Sequence, residues 1–498
     1  MYADVSCRPG REVYEGQESG TSPGAASDFG ASAGLRLMVV TLSPPEKGFF
    51  AGVPHGKLDR TQILELSRVL HHAGTEAALD WVEKHFGQRV QRDDSFLRPL
   101  RTALPRIQHF QSNRYDYFEE LLNEYRFYLH QSRASTPPFR LIKEKLPGDD
   151  IKTPMVILAI GGIHALGVGN PEDEHARPGE PRLDVRMGTL KQRIRQLKGE
   201  EPLDDGTWWA HRPLYITLSQ HFSNTLFGHA PTFRPPAHLL YHQARQLGHG
   251  IQRPHGLEVI KELLGLSVEL HATQSKRILI DISHMSAASR LDFYKHIIRP
   301  FNQRHQHRHM KIPVVASRVA YSGLDRLDEL AVRERQEAPG QVPRENGFVA
   351  TSLNLTDEDV IEIFNSRGLL GLTLDKHQLG AEEPMRWWKL TLKSETRVSD
   401  HALKRNLRQL VAIPFAYGLE SPLQIWDRLC IGTGFEQFTV PLDRYPGVNQ
   451  LATLEEDLVK ILTALYHEEP LWLGSYRPER LARKLCYENV MEFVKRNY

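Results

Sequence analysis

The stretch LNLTDEDVIEIFNSRGLLGLTL, residues 353–374, predicts a helix followed directly by a buried strand. Thr356 is a suitable helix N-cap, and Asp359 occupies the capping-box position three residues later. Apolar residues recur at helical spacing between positions 360 and 364, and Gly368 is a fitting terminator. The apolar run GLLGLTL follows at once. A helix that leads into a fully apolar strand is typical of a parallel sheet with crossover helices.

The same alternation of short apolar runs and amphipathic stretches extends along the whole chain. Besides GLLGLTL, the runs are ADVSC (3–7), LRLMVVTL (35–42), MVILAI (155–160), LYITL (214–218), RILIDIS (277–283), IPVVAS (312–317), GFVATSL (347–353) and RLCIGTG (428–434). These make nine candidate strands, whereas eight close a barrel, so one run is a decoy or a hairpin arm. The fold class predicted is α/β, a (β/α)8 TIM barrel with helical insertions. The alternative is an open doubly wound sheet.

The predicted domain organisation is one barrel over residues 1–498 with two additions. Residues 9–34 are rich in Gly, Ser, Ala and Pro, which predicts a flexible loop. Residues 56–140 carry helical spacing, as in ILELSRVLHHAG and YFEELLNEYRFYLHQ, which predicts a mainly helical insertion.

Composition limits the classes of function. Of the 498 residues, 63 are Lys or Arg and 61 are Asp or Glu, so the net charge of +2 gives no basic field for nucleic acid. The three cysteines lie far apart, which favours a reducing compartment. No apolar run approaches the roughly 18 residues of a membrane span. We therefore expect a cytoplasmic protein that binds neither nucleic acid nor membrane.

Common signatures of catalysis are absent from the sequence. There is no GxxxxGK[ST], no GxGxxG after a strand, no HExxH and no GxSxG. The run RHQHRHMK (304–311) contains three alternating histidines that could hold a metal. It is polar and basic throughout, so we interpret it as a solvated helix end before the strand at Ile312.

Polar residues and glycines follow several of the apolar runs, at the strand ends where a barrel carries its chemistry. The candidates for a pocket are Arg8, His164, His221, Asn224, Asp281, His284, Arg318 and Glu436.

The order and spacing of these pieces resemble the membrane (renal) dipeptidase family of the amidohydrolase superfamily. The resemblance extends from Asp4 to about Val494 and is carried by AIGGIHAL, IDISHMS, LNLTDEDVIEIFNSRGLLGLTL and ENVMEFV. It implies a barrel of the metal-dependent hydrolase type, with a binuclear zinc centre that hydrolyses dipeptides.

The resemblance also implies which ligands are missing. The family's first-strand metal ligands correspond to Ser6 and Arg8 in this chain. Its bridging glutamate corresponds to Gly161, although the histidine of that motif is kept as His164. The first histidine of its later pair is kept as His284.

The remaining family positions are mostly replaced as well. The second histidine of the pair corresponds to Arg318, and the last-strand aspartate corresponds to Gly434. The arginine that grips the substrate carboxylate aligns with Leu353, whereas the histidine that steadies the tetrahedral intermediate is kept as His221. One of six metal-ligand positions therefore keeps a ligand.

These replacements are incompatible with a zinc pair. A dizinc site needs about four coordinating groups per metal and a bridging carboxylate. Glycine offers no ligand, and the two arginines add positive charges that cannot be deprotonated. At ligand-shell distances this repulsion amounts to roughly several kcal/mol. We expect the family's zinc site to be lost and no cofactor to be bound.

Two functional hypotheses follow. The first is a catalytically inactive pseudoenzyme that serves as a binding or assembly subunit in a homo- or hetero-oligomer. In it, Arg8 and Arg318 either pair with Asp281, Asp4 or Glu436, or bind a small anionic ligand. The alternative is a metal-dependent, dipeptidase-like hydrolase with a rebuilt mononuclear zinc site. That zinc would be held by His164, His221 and His284.

Overall fold

The computed structural model describes the chain except residues 8–33, 51–57, 88–94, 113, 145, 147–152, 169–182, 235–236, 242, 244–245, 306–309, 337–341, 382–394 and 436–438. Four features predicted above therefore lie wholly or largely outside the described residues. These are Arg8, Glu436, the loop 9–34 and the central histidines of the RHQHRHMK run.

Eight parallel strands form one sheet in which the spatial order follows the chain order. Their bounds are β1 Tyr2–Cys7, β2 Leu35–Leu42, β3 Met155–Ile160, β4 Tyr215–Thr217, β5 Leu279–Asp281, β6 Val315–Val319, β7 Leu369–Thr373 and β8 Leu429–Gly432. At the end of β8, the backbone N–H of Gly434 donates to the carbonyl of Ser6 over 2.8 Å. The last strand thus lies beside the first, and the predicted (β/α)8 barrel is confirmed over the open sheet.

The surplus ninth run is a hairpin arm. Within GFVATSL, only Phe348–Val349 is a strand, and it pairs antiparallel with Arg344–Glu345 apart from the barrel. A further two-residue strand, Arg140–Leu141, pairs with the start of β3.

Helices fill the connections between strands. The α-helices are Arg60–Phe86, Leu104–Phe110, Tyr117–Gln131, Leu183–Leu197, Ala237–Leu240, His255–Leu264, Ala287–Phe293, Arg299–Arg304, Leu327–Gln336, Asp357–Ser366, Glu395–Ala416, Leu454–Glu468, Pro470–Leu473, Pro478–Arg483 and Asn489–Asn497. Two π-helical turns, Tyr294–Ile298 and Lys484–Glu488, each join two of these helices. Single 3-10 turns cover Lys47–Phe49, Ser95–Arg101, Ile163–Leu166, Pro422–Asp427 and Val448–Thr453.

The helix Asp357–Ser366 begins as its sequence predicts. Thr356 and Asp359 form a reciprocal capping box, in which each side chain accepts a hydrogen bond from the other's backbone N–H. At the other end, Arg367 adopts the left-handed conformation (φ 59°), one residue before the glycine predicted to terminate the helix. Asp359 also forms a buried ion pair with Arg290 at 2.8 Å, which joins this helix to the helix Ala287–Phe293.

Successive side chains along the strands point alternately into two apolar cores. In β2, Leu37 and Val39 belong to the cluster inside the barrel, whereas Met38 and Val40 belong to the cluster between the strands and the surrounding helices. The C-terminal helix Asn489–Asn497 contributes to the inner cluster and covers one end of the barrel. The chemistry predicted at the strand ends therefore lies at the other end.

The helices between β2 and β3 surround an apolar cluster of their own. It includes Leu66, Leu97 and Ile107, and it also takes in Phe222 and Tyr241 from the loop after β4. The inserted helices therefore pack against a loop at the strand-end mouth of the barrel. None of the helices that the structure describes is long and apolar enough to cross a membrane.

Candidate functional site

Irregularities in two strands shape the mouth of the barrel, which is the end where the carboxyl ends of the strands lie. Ser317 and Arg318 of β6 together face the single residue Gly371 of β7, which makes a β-bulge. A Cβ on Gly371 would lie 2.1 Å from the Ser317 carbonyl oxygen, so only glycine fits there. In β1, Val5 and Ser6 lie in a similar register shift opposite β2. Bulges commonly re-aim side chains beside functional sites, and these two shape the strand ends that carry Ser6 and Arg318.

Arg318 is buried at the mouth and is bonded to His284. The arginine is 5% exposed, and its Nη2 lies 2.5 Å from Nε2 of His284. A guanidinium carries only donors, so Nε2 of His284 must accept this hydrogen bond. Burial, followed by the charge of Arg318, holds the pKa of His284 well below its usual range. The ring is therefore neutral at pH 7.

Asp281 binds the hydroxyls of the neighbouring strand ends. One carboxylate oxygen accepts hydrogen bonds from the backbone and hydroxyl of Ser283 and from the backbone of Ser317. The other accepts from the Ser317 hydroxyl at 2.5 Å. Burial raises the pKa of Asp281, against the lowering effect of these bonds. The carboxylate thus links β5 to β6.

Asp4 makes the matching link between the first and last strands. It accepts hydrogen bonds from the backbone N–H groups of Ser6 and Thr433 and from the Thr433 hydroxyl. Burial raises the pKa of Asp4 to about 6. In the predicted ion-pair network, Asp4 and Asp281 bind Arg318 directly. The hydrogen bonds described for their oxygens instead come from amides and hydroxyls, and both carboxylates, with Asp375, act on the guanidinium through space.

Neighbouring side chains fill the space at two of the replaced ligand positions. A Cβ on Gly434 would lie 2.4 Å from Cδ of Arg318, and a Cβ on Gly161 would lie 2.7 Å from Cβ of Ser43 and 2.8 Å from Nε2 of Gln220. Any side chain at either glycine therefore requires its neighbours to move.

His164 points to the helical insertion. Its Nε2 lies 3.0 Å from the carbonyl oxygen of Pro44, and its ring contacts Tyr117 edge-on at 5.1 Å between centroids. Since a carbonyl only accepts, Nε2 carries a proton and offers no lone pair to a metal. Leu353, at the position of the family's substrate-gripping arginine, is buried and apolar.

His221 lies beside His284. The two ring centroids are 5.2 Å apart in a T-shaped contact, and the ring of His221 also stacks on Phe233 at 5.6 Å. The backbone N–H groups of His221 and Phe222 donate to Glu46 at 3.1 and 3.0 Å. Burial raises the pKa of Glu46 to about 8. This carboxyl group therefore ties the loop after β4 to the segment after β2.

Asn224 has a local structural role. Its Nδ2 donates to the carbonyl of Leu218 at 2.8 Å, and its Oδ1 accepts from the backbone N–H groups of Leu226 and Phe227. The side chain therefore fixes the loop that leaves β4, and its hydrogen bonds are made within that loop.

The described residues at the positions predicted for the zinc ligands do not fit a zinc pair. Of the corresponding positions that are described, four hold serine, glycine or arginine, and at the fifth the Nε2 lone pair of His284 accepts from Arg318. Within the described ranges, no group of three or more His, Cys, Asp or Glu side chains could hold a metal. His221 and His284 are neighbours, but the described chain does not join His164 to them as a third ligand.

Sequence reasoning missed the side chains that fill the mouth. Ser43 and Gln220 follow β2 and β4 but match no motif, and Asp375 follows β7. One signal for the bulge is present, since Gly371 and Gly432 interrupt apolar strands, where glycine often marks a bulge or a close backbone approach. A Cβ on Gly432 would lie 1.9 Å from the same Ser317 oxygen.

Comparison with known proteins gives structural likeness alone. No protein-family model matches the chain, and no curated protein matches it. A metallo peptidase from Rhodobacter sphaeroides, solved with a phosphinate mimic of the dipeptide L-Ala-D-Ala, is 13% identical, with a TM-score of 0.48 and coverage of 100% of this chain and 99% of that one.

Two further solved structures show the same level of likeness. A metallo peptidase named dipeptidase AC is 14% identical, with a TM-score of 0.43 and coverage of 100% of this chain and 98% of its own. A probable dipeptidase from Pseudomonas aeruginosa is 13% identical, with a TM-score of 0.39 and coverage of 100% and 95%. Likeness at this level carries no argument about activity, and the fold assignment rests on the strand topology.

Proposed function

We propose that this chain is a catalytically inactive, dipeptidase-like barrel that serves as a binding or assembly subunit. The observation that carries the proposal is the contact between Arg318 and His284. The one retained metal ligand gives its Nε2 lone pair to a guanidinium that is always protonated. A dication at that atom would have to displace a buried cation.

Side-chain packing at two other predicted ligand positions supports the same function. The side chain of Arg318 fills the volume beside Gly434, and Ser43 with Gln220 fills the volume beside Gly161. Metal-dependent hydrolysis needs a coordinated water and a base to take its proton. The carboxylates that act on Arg318 are those of Asp375, Asp281 and Asp4, and all three accept hydrogen bonds from amides or hydroxyls. None of the three is placed as a free general base.

Hydrolysis of a panel of unmodified dipeptides, with and without added zinc, tests the proposal. We expect no turnover in the ordinary enzyme range of roughly 1–10³ per second. His284→Ala is the matched control for contaminating peptidase. Activity that the variant keeps comes from a contaminant, whereas turnover in that range that the variant loses would contradict the proposal.

A further inference from the structure

The proton of the neutral His284 ring can be assigned to one nitrogen. Nε2 accepts from Nη2 of Arg318, which can only donate, so the ring proton must be on Nδ1. His284 therefore presents Nδ1–H as a hydrogen-bond donor.

That donor is buried and has no acceptor among the described residues. His284 is 5% exposed, and its Nδ1 has no hydrogen-bond partner in the part of the chain that the structure describes. Most buried polar groups in native proteins are paired with protein atoms, water or a bound ion. An unpaired N–H at the mouth of a barrel, where ligands bind, therefore points to an acceptor supplied from outside the chain.

The charges around His284 favour an anionic acceptor. The guanidinium of Arg318 is always protonated, and it contacts the His284 ring at Nε2. Nδ1 of His229 is engaged with the carbonyl of Ala230 at 3.1 Å. The carboxylates of Asp4 and Asp281 accept their described hydrogen bonds from amides and hydroxyls. An acceptor at Nδ1 of His284 would therefore lie beside the fixed positive charge of Arg318.

We infer that a compact monovalent anion, of the small carboxylate or halide class, binds at His284 and accepts its Nδ1–H. The anion must be small, because the His221 ring lies 5.2 Å from the His284 ring and stacks on Phe233 behind it. The inference rests on the proposed function, since a zinc ion at His284 would displace Arg318 and reverse the tautomer. It extends that function by naming the ligand class that the vacated centre takes.

Calorimetric titration with sodium formate tests the inference, with ionic strength held by a bulky sulfonate buffer. We expect saturable binding of one formate per chain, and competition by chloride but not by inorganic phosphate, whose second charge and size do not suit the site. His284→Gln keeps an amide near the Nε2 position and removes the Nδ1 donor, so it should weaken binding at least about tenfold. His72→Gln, at an exposed histidine, should leave the affinity within about twofold.

A second measurement on the unaltered chain covers the case in which His284→Gln fails to fold. With ¹⁵N-labelled histidine, formate should shift the Nδ1–H resonance of His284 downfield and leave Nε2 unprotonated. If neither formate nor chloride binds and this resonance does not move, ordered water satisfies the donor and the inference is wrong. The zinc content of the same sample separates the proposed function from the anion site. A zinc-free chain that binds no anion overturns only the inference of an anion site.

Discussion

The side chain of Arg318 occupies the space that any side chain at Gly434 would need. The closest approach of a Cβ on Gly434 would be 2.4 Å to Cδ and 2.7 Å to Nη1 of the arginine. Arginine at one of the predicted ligand positions and glycine at another are thus one steric unit. Arg318 also places a positive charge on which Asp4, Asp281 and Asp375 act.

Gly434→Ala should destabilise the fold by about 2–5 kcal/mol. The residue has a φ of +66°, which costs a side chain about 1–2 kcal/mol, and the clash with Arg318 adds about 1–3 kcal/mol. Gly418→Ala is the matched control, because Gly418 has a φ of +60° and nothing within 4 Å of its Cβ. Urea denaturation measures the loss of unfolding free energy in each variant, and the difference between the two losses is the cost of the clash. Equal losses in the two variants would refute the steric coupling.

Arg318→Ala should destabilise the fold by about 3–5 kcal/mol, the usual result of removing one partner from a buried charge cluster. The loss should be largest above pH 6, where Asp4, whose pKa is about 6, is ionised and left without its counter-ion. Arg126→Ala, which removes an exposed partner of Asp205, should change the unfolding midpoint little. A loss for Arg318→Ala no greater than that of the control would place the guanidinium in solvent.

Glu46 should contribute a fall in stability as pH rises from about 4.5 to about 8. Burial raises the pKa of Glu46 from 4.5 to about 8, so in this window Glu46 binds more protons in the folded chain than in the unfolded chain. Its contribution to the slope of unfolding free energy against pH is therefore negative. Glu46→Gln should remove that contribution and make the slope less negative, whereas Glu76→Gln, at an exposed site, should not. Denaturation at several pH values measures the slope, and an unchanged slope in Glu46→Gln would contradict the assignment.

The barrel could be predicted from the sequence because strand periodicity and helix caps are local. Thr356 and Asp359 cap their helix as their spacing indicates, and eight of the nine apolar runs contain barrel strands. The exception, GFVATSL, has the same composition as the others. Only pairing, which is a tertiary property, shows that Phe348–Val349 bonds to a neighbouring strand outside the barrel.

The arrangement of the mouth could be predicted only in part. The alignment of motifs places His284 and Arg318 at adjacent strand ends, but it does not predict the hydrogen bond between them. That bond accompanies a bulge in β6, and the bulge depends on the absence of a side chain at Gly371 in the next strand. Contacts of this kind join residues far apart in sequence, so no local pattern records them. For Asn224 the structure adds a local contact, since its side chain donates within its own loop, and its place in a pocket stays a prediction.

Elemental analysis of the purified chain after dialysis against metal-free buffer tests the central claim most directly. Because Arg318 takes the lone pair of His284, and side chains fill the space at Gly161 and Gly434, we predict no stoichiometric zinc pair. Arg318→Ala, measured alongside, shows whether the guanidinium alone excludes metal. Zinc well below one ion per chain agrees with the account, and two zinc ions per unaltered chain would contradict it.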